Sequence, residues 1–177
     1  MKKVVCLSVL VCIVITLATA ASAQTDTKPI QLSLFDPIQI FDSETSIQGI
    51  RLSLIYGVNE DLFGIDFGLV SKLNGDLTGL QHGLVNMVDG NVMGVQEGLV
   101  NYVIGDFTGW QNGTVNISKS GMNGLQSGLV NSTGDMNGVQ FGLVNLAETL
   151  YGLQIGLINV NKSGDPYRFL PIVNFSW

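Results

Sequence analysis

Cysteine is confined to the first twelve residues of this 177-residue chain, at Cys6 and Cys12. Disulfides, zinc–thiolate centres and cysteine nucleophiles are therefore excluded from all that follows. Histidine is nearly as scarce, with His82 standing alone. Positive charge is thin and scattered, with 8 Lys and Arg against 14 Asp and Glu. Setting Lys2 and Lys3 aside leaves basic residues only at 28, 51, 72, 119, 162 and 168, and a net charge of −8. Binding a phosphate backbone takes clustered Lys and Arg, so nucleic acid is not an expected partner. No G-x-S-x-G elbow, H-E-x-x-H pair or Walker loop occurs. These absences lead us to expect no enzyme activity, no small-molecule substrate and no cofactor.

The N-terminus reads as a targeting segment. Lys2 and Lys3 form a basic start, Val4 to Leu17 is almost unbroken apolar sequence, and Ala21-Ser22-Ala23 is an A-x-A cleavage site. The apolar run is short for the ~20 residues of a membrane-spanning helix. We expect residues 1–23 to be a cleaved signal peptide and Gln24 to begin the exported chain of 154 residues, a single-domain length.

What the rest contains is repetition. GLQHGLVN (Gly79–Asn86) returns as GVQEGLVN (Gly94–Asn101), GWQNGTVN (Gly109–Asn116), GLQSGLVN (Gly124–Asn131), GVQFGLVN (Gly138–Asn145) and GLQIGLIN (Gly152–Asn159). Looser copies, GIDFGLVS (Gly64–Ser71) and GIRLSLIY (Gly49–Tyr56), precede them. The period is 15 residues, falling to 14 in the last two steps, and such a short fixed period signals a repeat architecture. Two or three glycines in each copy, at about 1 kcal/mol apiece against alanine, exclude a helix. Aliphatic and β-branched residues flanked by turn formers read as strand and turn. The turn is the segment seen as MVDGN (Met87–Asn91) and YVIGD (Tyr102–Asp106), and in STGD (Ser132–Asp135) it is one residue short, as a surface loop permits. The fourth motif position holds His82, Glu97, Asn112, Ser127, Phe141 and Ile155, a variety that points outward.

The turns do not alternate in length or composition as those of an antiparallel meander tend to. In a parallel β-solenoid each motif position would instead stack on its own copy, about 4.8 Å from the last. Gln81, Gln96, Gln111, Gln126, Gln140 and Gln154 would form one amide ladder. Asn86, Asn101, Asn116, Asn131, Asn145 and Asn159 would form a second. A carboxamide both donates and accepts, so identical copies can bond in register. We expect an all-β protein with about eight coils of 14–15 residues across residues 46–163. Residues 24–45, a polar arm followed by the alternating Ile30, Leu32 and Leu34 against Gln31 and Ser33, should cap one end. Residues 164–177 should cap the other, with Phe169, Val173 and Phe175 on alternate positions of a last strand. That apolar alternation closing on Trp177 also supports an alternative, a small antiparallel outer-membrane β-barrel.

The G-Φ-Q-x-G-L-V-N units (Φ apolar), the lead-in GIRLSLIYGVNEDLFGIDFGLV and the closing LPIVNFSW resemble bacterial surface-repeat proteins described mainly from spirochaetes. The resemblance covers Ser46 to Trp177. It implies export and a location at the cell surface or outer membrane, with the periplasm as the alternative, and brings no activity or ligand. Some members of that family are lipoproteins. Here Cys12 follows Leu10-Val11, where a small residue is wanted, so the resemblance carries no lipid anchor to this chain.

Two features bear on chemistry. His82 sits at the interchangeable fourth position without fixed partners and reads as a surface residue. Asp61, Asp76, Asn91, Asp106 and Asp135 recur after the turn glycine or its equivalent and would stack as a row of oxygens. Calcium uses such oxygens, but the calcium nonapeptide G-G-x-G-x-D is absent and turn Asp in solvent is the plainer reading, so no metal site is expected. The expected function is that of a non-enzymatic surface or outer-membrane-associated protein, interacting or structural, with a surface or host protein or glycan as partner. The barrel reading would give a structural or channel role instead.

Overall fold

The computed structural model describes residues 27–177. The signal-peptide segment and the start of the polar arm lie outside the described residues. The rest is all β, a parallel β-solenoid, as the period demands. Strand β1 (Lys28–Phe35) turns back through a two-residue β2 (Ile38–Gln39). The coils follow as β3 (Ile47–Asn59), β4 (Leu62–Leu73), β5 (Leu77–Val88), β6 (Val92–Val103), β7 (Phe107–Phe141) and β8 (Val144–Asn161). A final β9 (Phe169–Ser176) closes the chain. The strands hydrogen-bond in the open order β2-β1-β3-β4-β5-β6-β7-β8-β9.

Every pairing from β1 to β8 is parallel, and only β1–β2 and β8–β9 are antiparallel. The outer-membrane barrel therefore does not occur: successive strands run the same way, and β2 and β9 end at opposite edges of one unclosed sheet. Each copy stacks on the next without slippage, Gly64 on Gly79, Gly79 on Gly94 and Gly94 on Gly109. The degenerate first copy is the exception. A bulge between Ser53 and Tyr56 inserts one residue, which sets Asn59 rather than Val58 beside Leu73. In β4, β5 and β6 a twelve-residue strand is followed by a three-residue turn, at 74–76, 89–91 and 104–106. From Phe107 onward the turn segments also pair in register, so β7 runs through two corners as one strand of 35 residues.

β1 begins at Lys28, whose N–H donates to the Ser46 carbonyl, so the expected arm is already strand at that point. β1 and β9 cap the array as expected, and the face each turns inward is the polar one. Gln31 and Ser33 are buried while Ile30, Leu32 and Leu34 are exposed. In β9, Asn174 and Ser176 are buried while Phe169, Val173 and Phe175 face out. The interior is narrow. One apolar column holds Ile47, Leu62, Leu77, Val92, Phe107, Met122, Met136 and Leu150; a second holds Leu73, Val88, Val103 and Ala147. Ser118 and Thr133 interrupt the second column, and the remaining inward positions of the six full copies belong to the glutamines and asparagines, all fully buried.

Two glycine columns make so tight a coil possible. The first glycine of each copy has a positive φ, 135° at Gly109, where an ideal Cβ would stand 2.0 Å from the Gly94 carbonyl oxygen. The fifth-position glycines need contact rather than φ: a Cβ on Gly128 would stand 2.0 Å from the Gly113 carbonyl oxygen and 2.7 Å from the Asn116 amide nitrogen. Gly109→Ala therefore meets strain and a backbone clash together, and Gly128→Val meets the clash alone. Each should lower the unfolding free energy by about 2–4 kcal/mol in denaturant titration. Gly164, with φ 82° and nothing near its ideal Cβ, is the control, and Gly164→Ala should cost about 1–2 kcal/mol.

Candidate functional site

The two amide columns are the chemical centre of the molecule. In the glutamine column each Nε2 donates to the Oε1 one coil nearer the N-terminus. The distances are 2.8 Å for Gln96 to Gln81, 2.9 Å for Gln111 to Gln96 and 2.8 Å for Gln126 to Gln111. Gln140 to Gln126 and Gln154 to Gln140 are both 2.7 Å. The second N–H of Gln140 and of Gln154 goes to the carbonyls of Leu146 and Val160, each at 3.1 Å.

This column is longer than the six repeated glutamines. At its C-terminal end the Asn174 amide donates to Gln154 Oε1 at 3.3 Å. At its N-terminal end Gln81 Nε2 donates to Asp66 Oδ2 at 3.0 Å. Asp66 in turn holds Arg51 by both oxygens, Nε to Oδ1 at 2.9 Å and Nη2 to Oδ2 at 2.6 Å. Both partners of this ion pair are fully buried. Arg51 Nη1 donates to the Lys72 carbonyl at 2.8 Å. Beyond it Gln31 closes the row, donating to the Phe41 carbonyl and accepting from the Phe41 N–H. Repeat spacing alone does not single out Arg51 and Asp66. They are nonetheless the third residues of GIRLSLIY and GIDFGLVS, so opposite charges stand at the glutamine position of adjacent copies.

The asparagine column runs with the opposite polarity. Asn86 donates to Asn101 Oδ1, Asn101 to Asn116 and Asn131 to Asn145, each at 2.8 Å. Asn116 donates to Asn131 at 2.9 Å and Asn145 to Asn159 at 2.8 Å. The second N–H of each bonds a backbone carbonyl of the next coil, from Asn86 to Glu97 and from Asn116 to Ser127. Asn159 is fully buried under β9 and donates to the Leu170 carbonyl, so the end of this ladder is no wetter than its middle. At the other end Ser71 takes the asparagine position, and Ser71 Oγ and Asn86 Oδ1 are both buried without a hydrogen-bond partner.

The turn carboxylates form a third row. Asp61 Oδ1 accepts the Asp76 N–H at 2.7 Å, Asp76 the Asn91 N–H at 2.6 Å, Asn91 the Asp106 N–H at 3.0 Å and Asp106 the Gly121 N–H at 2.9 Å. Asp135 accepts instead from the Thr149 hydroxyl at 2.6 Å. The first four side chains thus cap the backbone of the coil that follows, and Asp135 bonds a side chain of the next coil instead. No three His, Cys, Asp or Glu among the described residues converge on a common point. His82 is half exposed beside Glu97, Nδ1 to Oε2 at 3.3 Å, with the Phe67 ring edge-on to it.

Outside, the chemistry is apolar. The sixth motif residue gives a column of exposed leucines, Leu54, Leu69, Leu84, Leu99, Leu129, Leu143 and Leu157, interrupted by the exposed Thr114. Comparison with known protein families, with curated proteins and with solved structures finds no match.

Two predictions follow from the columns. Ser71→Asn should extend the asparagine ladder by one rung and raise the unfolding free energy by about 1 kcal/mol, whereas Asn116→Leu and Asn159→Leu should each lose about 1–3 kcal/mol. At the ion pair, Arg51→Gln alone leaves a buried carboxylate without its cation and should cost about 3–5 kcal/mol, while Arg51→Gln with Asp66→Gln restores an all-amide column and should recover most of that loss. Chemical denaturation of the two variants checks this, and equal losses in both would show that the pair is no more than a local contact.

Proposed function

We propose that this protein is an exported, non-enzymatic scaffold at the bacterial cell surface or outer membrane, acting through its outer faces on surface or host macromolecules. One observation carries the reading. The groups capable of chemistry along the coils, the amides, the buried Arg51–Asp66 pair and the turn carboxylates, are already bonded between coils. What such a protein offers a partner is therefore its regular exterior. The export segment and the resemblance to surface-repeat proteins support the location, and the absence of a clustered basic patch supports a partner other than nucleic acid. With an open sheet in place of a barrel, attachment to the membrane would be peripheral.

The reading is tested in intact cells that make the protein. Proteinase K added outside should digest it, carbonate should extract it from membranes, and its N-terminus should begin at Gln24. Recovery from the cytoplasmic fraction with Met1 intact would sink the proposal.

A further inference from the structure

The groove between the fourth and sixth motif columns changes character along the axis, and the repeat does not require it to. On one wall Leu52 stacks on Phe67, Phe67 on His82, His82 on Glu97 and Glu97 on Asn112. Along the floor Ser33 is followed by Ser53, Gly68 and Gly83. A cleft of about 580 Å³ lies over the first coils and one of about 440 Å³ over the next, so the two are successive stretches of a single groove.

The first stretch is apolar on both walls. Leu32, Leu52 and Phe67 line one side, Leu34 and Leu54 the other, and Ile38 and Ile40 line the end at β2. These seven side chains are 40–65% exposed. Single exposed leucines are ordinary, but seven large apolar groups around one cleft mark a binding surface. The Ser33 and Ser53 hydroxyls beneath them bond to each other at 2.9 Å. At His82 one wall becomes polar. Leu69, Leu84 and Leu99 continue the apolar side, and His82, Glu97 and Asn112 face them. Glu97 is the one carboxylate on either stretch, and no lysine or arginine lines them. Its contacts are long, His82 Nδ1 at 3.3 Å and Asn112 Nδ2 at 3.5 Å, and its side chain is half exposed. A carboxylate has about four acceptor sites, so Glu97 keeps capacity for a further donor.

We propose that this groove binds a free single-chain amphiphile with a cationic amine head, the head at Glu97 and the tail running along the axis toward β2. Two features on one line select that ligand. An apolar run with no charge along it takes a hydrocarbon chain, and a lone carboxylate at the inner end of the run takes an ammonium group. A glycan fits less well, because its hydroxyls would meet only apolar walls over the first coils. The lengths agree with this placement. Strand order sets Glu97 of β6 four spacings from Leu34 of β1, about 19 Å. A zigzag chain with carbon–carbon bonds of ~1.5 Å covers that distance in about sixteen bonds. A ten-carbon chain held at Glu97 covers about 12 Å and ends between β4 and β3, short of Leu34.

Neither the scaffold reading nor the location of the protein enters this inference, so its failure leaves both standing. The test is calorimetric titration of the purified protein with decylammonium, hexadecylammonium and hexadecanoate, each below its micelle concentration. Binding should tighten about two- to fourfold per methylene between the two amines. Leu34→Gln should weaken hexadecylammonium at least threefold and leave decylammonium unchanged, because only the longer tail reaches it. Glu97→Gln should weaken both amines about two- to fivefold, the range of a half-exposed ion pair, without weakening hexadecanoate. Leu157→Gln, at the far end of the leucine column, should change neither. All three substitutions are at exposed positions, and unchanged β circular dichroism checks that each variant folds. No binding of hexadecylammonium overturns the proposal. So does an equal effect of Leu34→Gln on both chain lengths, or hexadecanoate binding as tightly as the amine. Binding confined to phosphatidylcholine vesicles that carry hexadecylamine would make the groove a membrane contact, and overturns it as well.

Discussion

A carboxamide removed from water must find partners for its two N–H groups and its oxygen, and leaving one unmet costs about 1–3 kcal/mol. This chain buries such a group twice in each full copy of its repeat. The partner that is always available is the same side chain one coil away, provided that the coils are parallel, in register and evenly spaced. The amide columns thus act as a condition on the fold more than as its driving force. A formed amide hydrogen bond adds about 0.5–1.5 kcal/mol net, and the two apolar columns supply the burial that favours collapse. What the amides do is penalise the alternatives. A coil slipped by one residue would carry its glutamine out of the column and orphan the groups above and below.

The two columns have opposite polarity, and that decides how each must end. The glutamine amides all point their donors toward the N-terminus, so the column needs a final acceptor there. Asp66 is one, and a carboxylate is a better terminus for aligned amide dipoles than another neutral oxygen. Its charge then requires Arg51, which is bonded bidentately and buried with it. The asparagine column sends its donors toward the C-terminus and ends on the Leu170 carbonyl of the capping strand. Its own acceptor end, at Asn86 and Ser71, is the place where the repeat stops before the polar bookkeeping is complete.

Much of this was legible in the sequence, because periodicity reports stacking directly. Period, coil count, both ladders, the outward fourth position and the terminal strands follow from lining up Gly49 to Gly152. The inside of the coil did not follow. Strict alternation separates two faces without saying which is interior, and hydropathy would send Ile30, Leu32 and Leu34 inward where the structure buries Gln31 and Ser33. The choice belongs to the ladder, a property of neighbouring coils that no single strand contains. The surroundings of Asn159 are a related case: it ends the repeat but not the stack, and β9 covers it. The continuous strand through the later corners was hidden as well, since the turn residues that look like loop formers pair with their own copies.

The ends of the stack bear on how such a molecule can associate. A parallel ladder that simply stopped would present a row of unmet backbone groups and invite another copy to continue it. Here neither end is left in that form. At the N-terminal end the chain folds β2 back on β1, and Gln31 turns its amide onto Phe41 of the same hairpin. At the C-terminal end β9 reverses direction, replaces the column glutamine by Asn174 and carries Pro171, which has no N–H to offer. A further parallel coil would meet the wrong strand direction and the wrong amide geometry at both ends. The turn side is occupied by carboxylates bonded to backbone, so a partner that gains buried area without displacing a bond the coils already make does so on the exposed apolar side chains of the lateral faces.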